Sequence, residues 1–275
     1  MAFTMMSHAV RMLWANLGNA ARVSVVPLLL MYVFIFVVLT FYVMTDPTIV
    51  AFLEGFAEAG GLDPANPPPE ITAPELPGLT VMMVVIGFLF MFIVMAFMAW
   101  IAIAWHRFIL LEEYPEGWLP TFRWDDIVEY VWKLILLSIV YAFIALVPLV
   151  TFAIIGAGIG GAGVGLSAIS VVLLLPVFMW LSFRLSIVLP SAAVSRRMAL
   201  GEAWRVTEPY SGTIFWFGVV YLGVIIVIQL ALGLLGIIPV VGAVASLFGS
   251  WFTTILGFSA LTTVYGVAVE GRQPT

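Results

Sequence analysis

Long apolar runs alternate along this chain with short polar segments that carry tryptophan. The ten Lys/Arg residues fall at 11 and 22, at 107, 123 and 133, at 184, 196, 197 and 205, and at 272. Three stretches between them, 23–106, 134–183 and 206–271, hold no cation. Each has room for two helices of ~20 residues, the length that crosses a ~30 Å hydrocarbon layer at a rise of ~1.5 Å per residue. The pattern predicts an all-α polytopic membrane protein with six transmembrane helices, near 23–44, 80–104, 132–155, 164–189, 213–237 and 241–267. Short translocated loops lack Lys/Arg while cytoplasmic loops keep them. Each cation-free stretch is therefore read as a hairpin that leaves the cytoplasm and returns, giving three hairpins with both termini inside.

A polar or amphipathic segment precedes each outgoing helix: "HAVRMLWANLGNAARVSVVP", "FRWDDIVEYVWKLIL" and "MALGEAWRVTEPYSGTIFW". In the first, Phe3, Met6, Val10, Leu13 and Leu17 recur at spacings of three and four, with His8, Arg11, Asn19 and Arg22 on the other side. This predicts an amphipathic helix over 1–22 lying in the cytoplasmic interface, and a threefold repeat of interfacial segment plus hairpin. Nine of the ten tryptophans, all except Trp251, fall near the same predicted boundary, where indole rings favour the headgroup level.

The exported connections differ in kind. Residues 45–79 carry six acids and no cation; Pro47 is placed to open a short helix ending near Gly60, and "NPPPE" beyond it is expected to be extended. "GAGIGGAG" and "IIPVVG" are tight turns, which makes the helices on either side antiparallel neighbours. A cytoplasmic tail, 268–275, ends the sequence.

Composition agrees with the pattern. Of 275 residues, 64% are hydrophobic and 9% charged, against ~25% charged in a soluble domain. The apolar run 23–44 is longer than the ~7–15 residues of a signal-peptide core, so it is read as a retained span. The net charge of −5 says little about partners, because the charges are segregated. Cysteine is absent, which removes disulfides, thiolate nucleophiles and cysteine metal sites. His8 and His106 show no metal-ligand spacing, and neither a cofactor nor a nucleic-acid partner is expected.

The stretches "AWHRFILLEEYP" and "FRLSIVLPSAAVSRRMALGEAWRVT" resemble a group of uncharacterised bacterial six-helix inner-membrane proteins, similar in layout to the membrane domain attached to some glycerophosphoryl diester phosphodiesterases. The resemblance implies a multi-pass fold in a bacterial inner membrane. It supplies no catalytic residues, and these 275 residues include no soluble phosphodiesterase domain from which hydrolytic activity could be carried over.

Candidate chemistry gathers on the predicted cytoplasmic side. Arg184, inside "MWLSFRLSIVLP", falls ~30 Å along a helix that starts near 164, at the edge of the hydrocarbon, where its guanidinium can snorkel to the headgroups. Alternatively Arg107, Arg184, Arg196, Arg197 and Arg205 line one surface that clamps anionic lipid, with His106, Glu112 and Glu113 as polar partners. Gln229, the costliest side chain to leave unpaired in a span, is expected to face another helix. No Asp, Glu, Lys or His lies near the middle of a predicted helix, where ion-coupled transporters place such groups. The leading expectation is a non-enzymatic accessory or scaffold component whose partners are anionic lipid and a larger membrane complex or a homo-oligomer. A transporter or flippase for a neutral or lipidic substrate is the second reading. A headgroup enzyme using His106 with Glu112 or Glu113 is the third.

Overall fold

The structure, a computed structural model, describes residues 1–45, 81–159 and 174–274. Among the described residues there is no strand. The helices are α1 (Ala2–Ala15), α2 (Leu17–Thr45), α3 (Val81–Leu111), α4 (Trp124–Ile159), α5 (described from 174 to 185), α6 (Val188–Ala193), α7 (Leu200–Thr207), a 3-10 turn (Glu208–Tyr210), α8 (Ser211–Leu235) and α9 (Pro239–Ala268). Six segments are long and apolar enough to cross a membrane: Leu17–Phe41, Val85–Leu111, Trp124–Leu146, Leu174–Ala193, Leu200–Leu235 and Pro239–Val269. The chain is a multi-pass membrane protein. The predicted helix at Pro47, the extended "NPPPE" and the part of "GAGIGGAG" from 160 onward lie outside the described residues.

Contacts divide the chain into two units, Met1–Ser24 with Ala99–Thr275, and Val25–Met98. In the second, Phe34 and Phe90 stack with ring centroids 5.8 Å apart, while Leu29, Val33, Phe36 and Phe88 stay exposed, as lipid-facing side chains do. In the first, the largest fully buried side chains include Leu13, Trp105, Ile127, Met198, Phe217, Leu256 and Tyr265. Leu13, Ile127 and Met198 come from the polar segments that carry cations, whereas Trp105, Phe217, Leu256 and Tyr265 come from the ends of cation-free stretches or from within them. α1 packs on α8 and α9, α8 on α9, and α6 on α4 and α9.

The helix ends have local causes. α1 stops at Asn16, whose side-chain amide donates to Met12 O at 2.9 Å, a bond that competes with the helical ladder. The break therefore falls at 16, and residues 17–22 are continuous with the long apolar helix α2. The buried face of α1 is Met5, Met6, Ala9 and Leu13, while Phe3 is 75% exposed. The stripe is turned from the predicted one because docking on α8 and α9 decides which residues are covered. The second amphipathic segment is not a separate element: it is the start of α4. The third is α7, joined to α8 through the 3-10 turn.

The predicted helix 164–189 is interrupted at 186–187. Pro190 lacks the N–H that would bond Ser186 O, and its ring crowds that carbonyl. The interruption is held from outside by Tyr141, whose hydroxyl meets Ser186 Oγ at 2.8 Å and donates to Ser182 O at 3.3 Å. At the turn between α8 and α9, a Cβ on Gly242 would sit 2.6 Å from Gly236 Cα, so this close backbone approach requires glycine.

Candidate functional site

Arg184 does not snorkel. It is 3% exposed and lies in an aromatic slot. Its guanidinium carbon is 3.4 Å from the ring centroid of Trp204 and 5.2 Å from that of Trp180. Nε donates to Thr207 Oγ1 at 3.0 Å and an Nη donates to Trp204 O at 2.7 Å. Thr207 sends its own proton to Ala203 O at 2.8 Å, which leaves its oxygen free to accept. Trp180 is tied down in turn by an indole N–H to Ser211 Oγ bond of 3.2 Å. The charge thus fastens α5 to α7 by stacking and hydrogen bonds. That use removes Arg184 from any lipid-facing clamp.

Arg107 is the centre of a second network. Two helix stops build it, each with a polar residue at a left-handed position where glycine is usual. α3 ends with Glu112 at φ 56° and a Glu113 N–H to Arg107 O bond of 3.4 Å. α6 ends with Ser195 at φ 57° and an Arg196 N–H to Ser191 O bond of 2.8 Å, the Schellman bond; the turn after α3 closes over one more residue. The first turn folds Glu113 back under Arg107, giving a bidentate pair with Nε–Oε2 2.8 Å and Nη–Oε1 2.5 Å. The second brings Ala193 O within 3.0 Å and Ser195 Oγ within 3.5 Å of the other Nη. Asp126, in the first turn of α4, lies 3.6 Å from the same nitrogen and accepts from Ser195 Oγ at 2.9 Å. Arg123 approaches Glu113 at 3.3 Å. The hydrogen bond from Arg107, helped by the charges of Arg107 and Arg123, holds the Glu113 carboxyl below the usual carboxylate range against the opposing effect of its partial burial.

His106, on the neighbouring position of α3, is fully buried. Its Nδ1 is 2.7 Å from Thr262 Oγ1 and its Nε2 is 3.5 Å from Tyr130 OH. Thr262 directs its one hydroxyl proton to Phe258 O at 2.7 Å. Nδ1 must therefore carry the hydrogen and Nε2 accept from tyrosine. The ring pins α3 to α9 and α4. It does not face Glu112 or Glu113, so the acid–base pairing considered from the sequence is not assembled: Glu112 is exposed, and Glu113 is bound to Arg107.

The remaining predicted residues do not converge on one surface clamp. Arg196 pairs with Glu202 at 3.7 Å, and Arg205 is exposed, reaching Gly201 O of its own helix at 3.4 Å and no other hydrogen-bond acceptor among the described residues. Arg197 is exposed with no polar partner among the described residues. Gln229, expected to face another helix, is exposed on α8 among the described residues. α8 is apolar all round, so its sequence offers no stripe from which to assign a buried face.

Sequence reasoning overlooked Arg272, whose Nη groups reach Leu110 O at 2.9 Å and Ile109 O at 3.5 Å and cap α3. It also overlooked Thr207, Tyr130 and Thr262, ordinary residues whose role depends on partners 20 or more positions away in the chain, as the Arg184 to Trp204 O separation of 20 illustrates. No group of His, Cys, Asp or Glu able to hold a metal ion is formed among the described residues. No protein-family model, curated protein or solved structure matches this chain.

Proposed function

We propose that this protein is a non-enzymatic integral component of a bacterial inner membrane, an accessory or scaffold subunit whose cation-bearing end lies in the cytoplasm and contacts anionic headgroups. The six spans would be arranged as three hairpins, with both termini on the cytoplasmic side, as the positive-inside rule favours. The likeness of residues 104–115 and 183–207 to six-helix bacterial inner-membrane proteins points the same way.

The observation that carries the reading is how the arginines are used. Arg107, Arg184 and Arg272 are spent on internal contacts, whereas Arg22, Arg197 and Arg205 are exposed with no carboxylate partner among the described residues. The second group is available to phosphates, at ~1 kcal/mol per cation near an anionic surface. Exposed indoles of Trp14, Trp118, Trp124 and Trp132 lie on the same stretches of chain and suit the headgroup layer.

The test is extraction in a mild detergent followed by native mass spectrometry. Anionic phospholipid should remain bound, alone or with a stoichiometric partner protein. A triple Arg22→Gln, Arg197→Gln, Arg205→Gln variant should lose that lipid several-fold while keeping its melting temperature. Equal anionic-lipid retention in the two proteins would refute the reading.

A further inference from the structure

A cavity of about 390 Å³ opens beside Arg107 under the segment that links α3 to α4. That volume lies within the ~300–1,000 Å³ of small-molecule sites. Its wall is divided. Val23, Ile103 and Ala104 line it from α2 and α3, inside two of the candidate spans. Arg107 lines it from the next turn of α3, and Glu113, Glu116 and Arg123 line it from the segment beyond. The pocket therefore joins an apolar patch from two candidate spans to two cations and two acids.

The four charges are not equally available. Arg107 has five N–H donors, and Nε once, one Nη twice and the other Nη once already serve Glu113, Ala193 O and Ser195. Glu113 is held by Arg107 and Arg123. Arg123 makes a single ion pair among the described residues, to Glu113, and its side chain is 40% exposed. Glu116 is exposed and has no ion pair among the described residues. What the cavity offers a ligand is one spare guanidinium and one spare carboxylate, with no net charge over the four. A purely anionic group would gain Arg123 but meet Glu116, so the lining disfavours it. A group carrying both signs satisfies both.

We propose that this cavity binds a zwitterionic phosphate–ammonium group, with the phosphate on Arg123, the ammonium on Glu116, and the carbon skeleton against Val23, Ile103 and Ala104. Guanidinium takes phosphate in a two-point fork, and carboxylate accepts from a primary ammonium by charge-assisted hydrogen bonds. Phosphatidylethanolamine presents this group from the bilayer, and free phosphoethanolamine presents it from water. The site uses charged residues different from the surface arginines assigned above to anionic lipid.

The experiment uses the full chain in detergent, titrated with phosphatidylethanolamine or phosphatidylglycerol and read by native mass spectrometry. Wild-type protein should retain phosphatidylethanolamine several-fold better than phosphatidylglycerol at this site. Glu116→Gln, which leaves one uncompensated cation, should reverse the preference. Arg123→Gln should lower retention of phosphatidylethanolamine about tenfold, and Arg123→Lys should restore part of it. The Arg22/Arg197/Arg205 variant should leave phosphatidylethanolamine retention unchanged, which separates this site from the surface cations. Excess phosphoethanolamine that displaces the lipid would make the headgroup sufficient; lipid that resists it would assign the source to the membrane. Phosphatidylethanolamine retention indifferent to both Arg123→Gln and Glu116→Gln, in proteins with wild-type melting temperatures, would overturn the proposal.

Discussion

Thr207 illustrates how little of a buried charge's setting is written at the charge itself. Its hydroxyl accepts from Arg184 Nε, and Thr207→Val would leave that donor unpaired among apolar neighbours. The expected loss is about 1–3 kcal/mol, read as a lower unfolding midpoint in detergent. Arg184→Leu removes the cation together with its desolvation and should cost less than Thr207→Val; the reverse order would show that stacking on Trp204 outweighs the hydrogen bonds. From the sequence, Arg184 looked like an interfacial snorkel because depth is legible from position along a helix, while a partner more than five turns further on is not. Glu113 gives a pH dependence with a definite sign. Its folded pKa is held below the unfolded value, so between the two the unfolded chain binds more protons. The pair's contribution is complete above the unfolded carboxylate pKa, near the usual 4.5, and disappears as pH falls through the depressed folded value. Melting temperatures measured from pH 7 down to pH 3 should fall on the acid side, and Glu113→Gln should flatten that slope.

At the scale of the helices, the spans were legible because nothing but a membrane-length apolar run was needed to find them. α8 and α9, predicted over 213–237 and 241–267, are observed over Ser211–Leu235 and Pro239–Ala268. The interruptions were not legible. Asn16 and Pro190 act within sequences whose hydrophobicity does not change, and hydrophobicity was the signal being followed. A Cβ on Gly242 would meet the Gly236 backbone and one on Gly249 the end of the Leu232 side chain, whereas a Cβ on Gly233 would meet open space. This sets an order for substitution by alanine. Gly242→Ala forces the turn backbone apart and should destabilise by about 1–3 kcal/mol. Gly249→Ala presses on the movable end of Leu232 and should cost less. Gly233→Ala should be neutral or stabilise by up to ~1 kcal/mol through helix propensity alone. Thermal unfolding of the three variants in one detergent checks the ranking.

For the molecule as a whole, cations, buried core and polar networks occupy the same unit, and large apolar side chains such as Phe143, Val227, Leu230 and Leu234 are left uncovered for lipid. On the proposed topology, which rests on the positive-inside rule, a reporter enzyme that works only outside the cytoplasm should be active when inserted within 60–75 and silent when fused after 274. Activity in the opposite sense would invert the topology. The aromatic slot around Arg184 has a consequence for assembly. During synthesis, the segment 174–193 leaves the ribosome with a guanidinium whose acceptors at 204 and 207 have not yet been made. An unaccompanied arginine in a span raises the insertion cost, by ~2.5–3.5 kcal/mol at the centre and by less toward the edge. The fourth span should therefore hesitate at the translocon until α7 emerges. Nascent chains arrested with residue 200 just exposed should show a weakly inserted fourth span, and those arrested beyond residue 210 a fully inserted one.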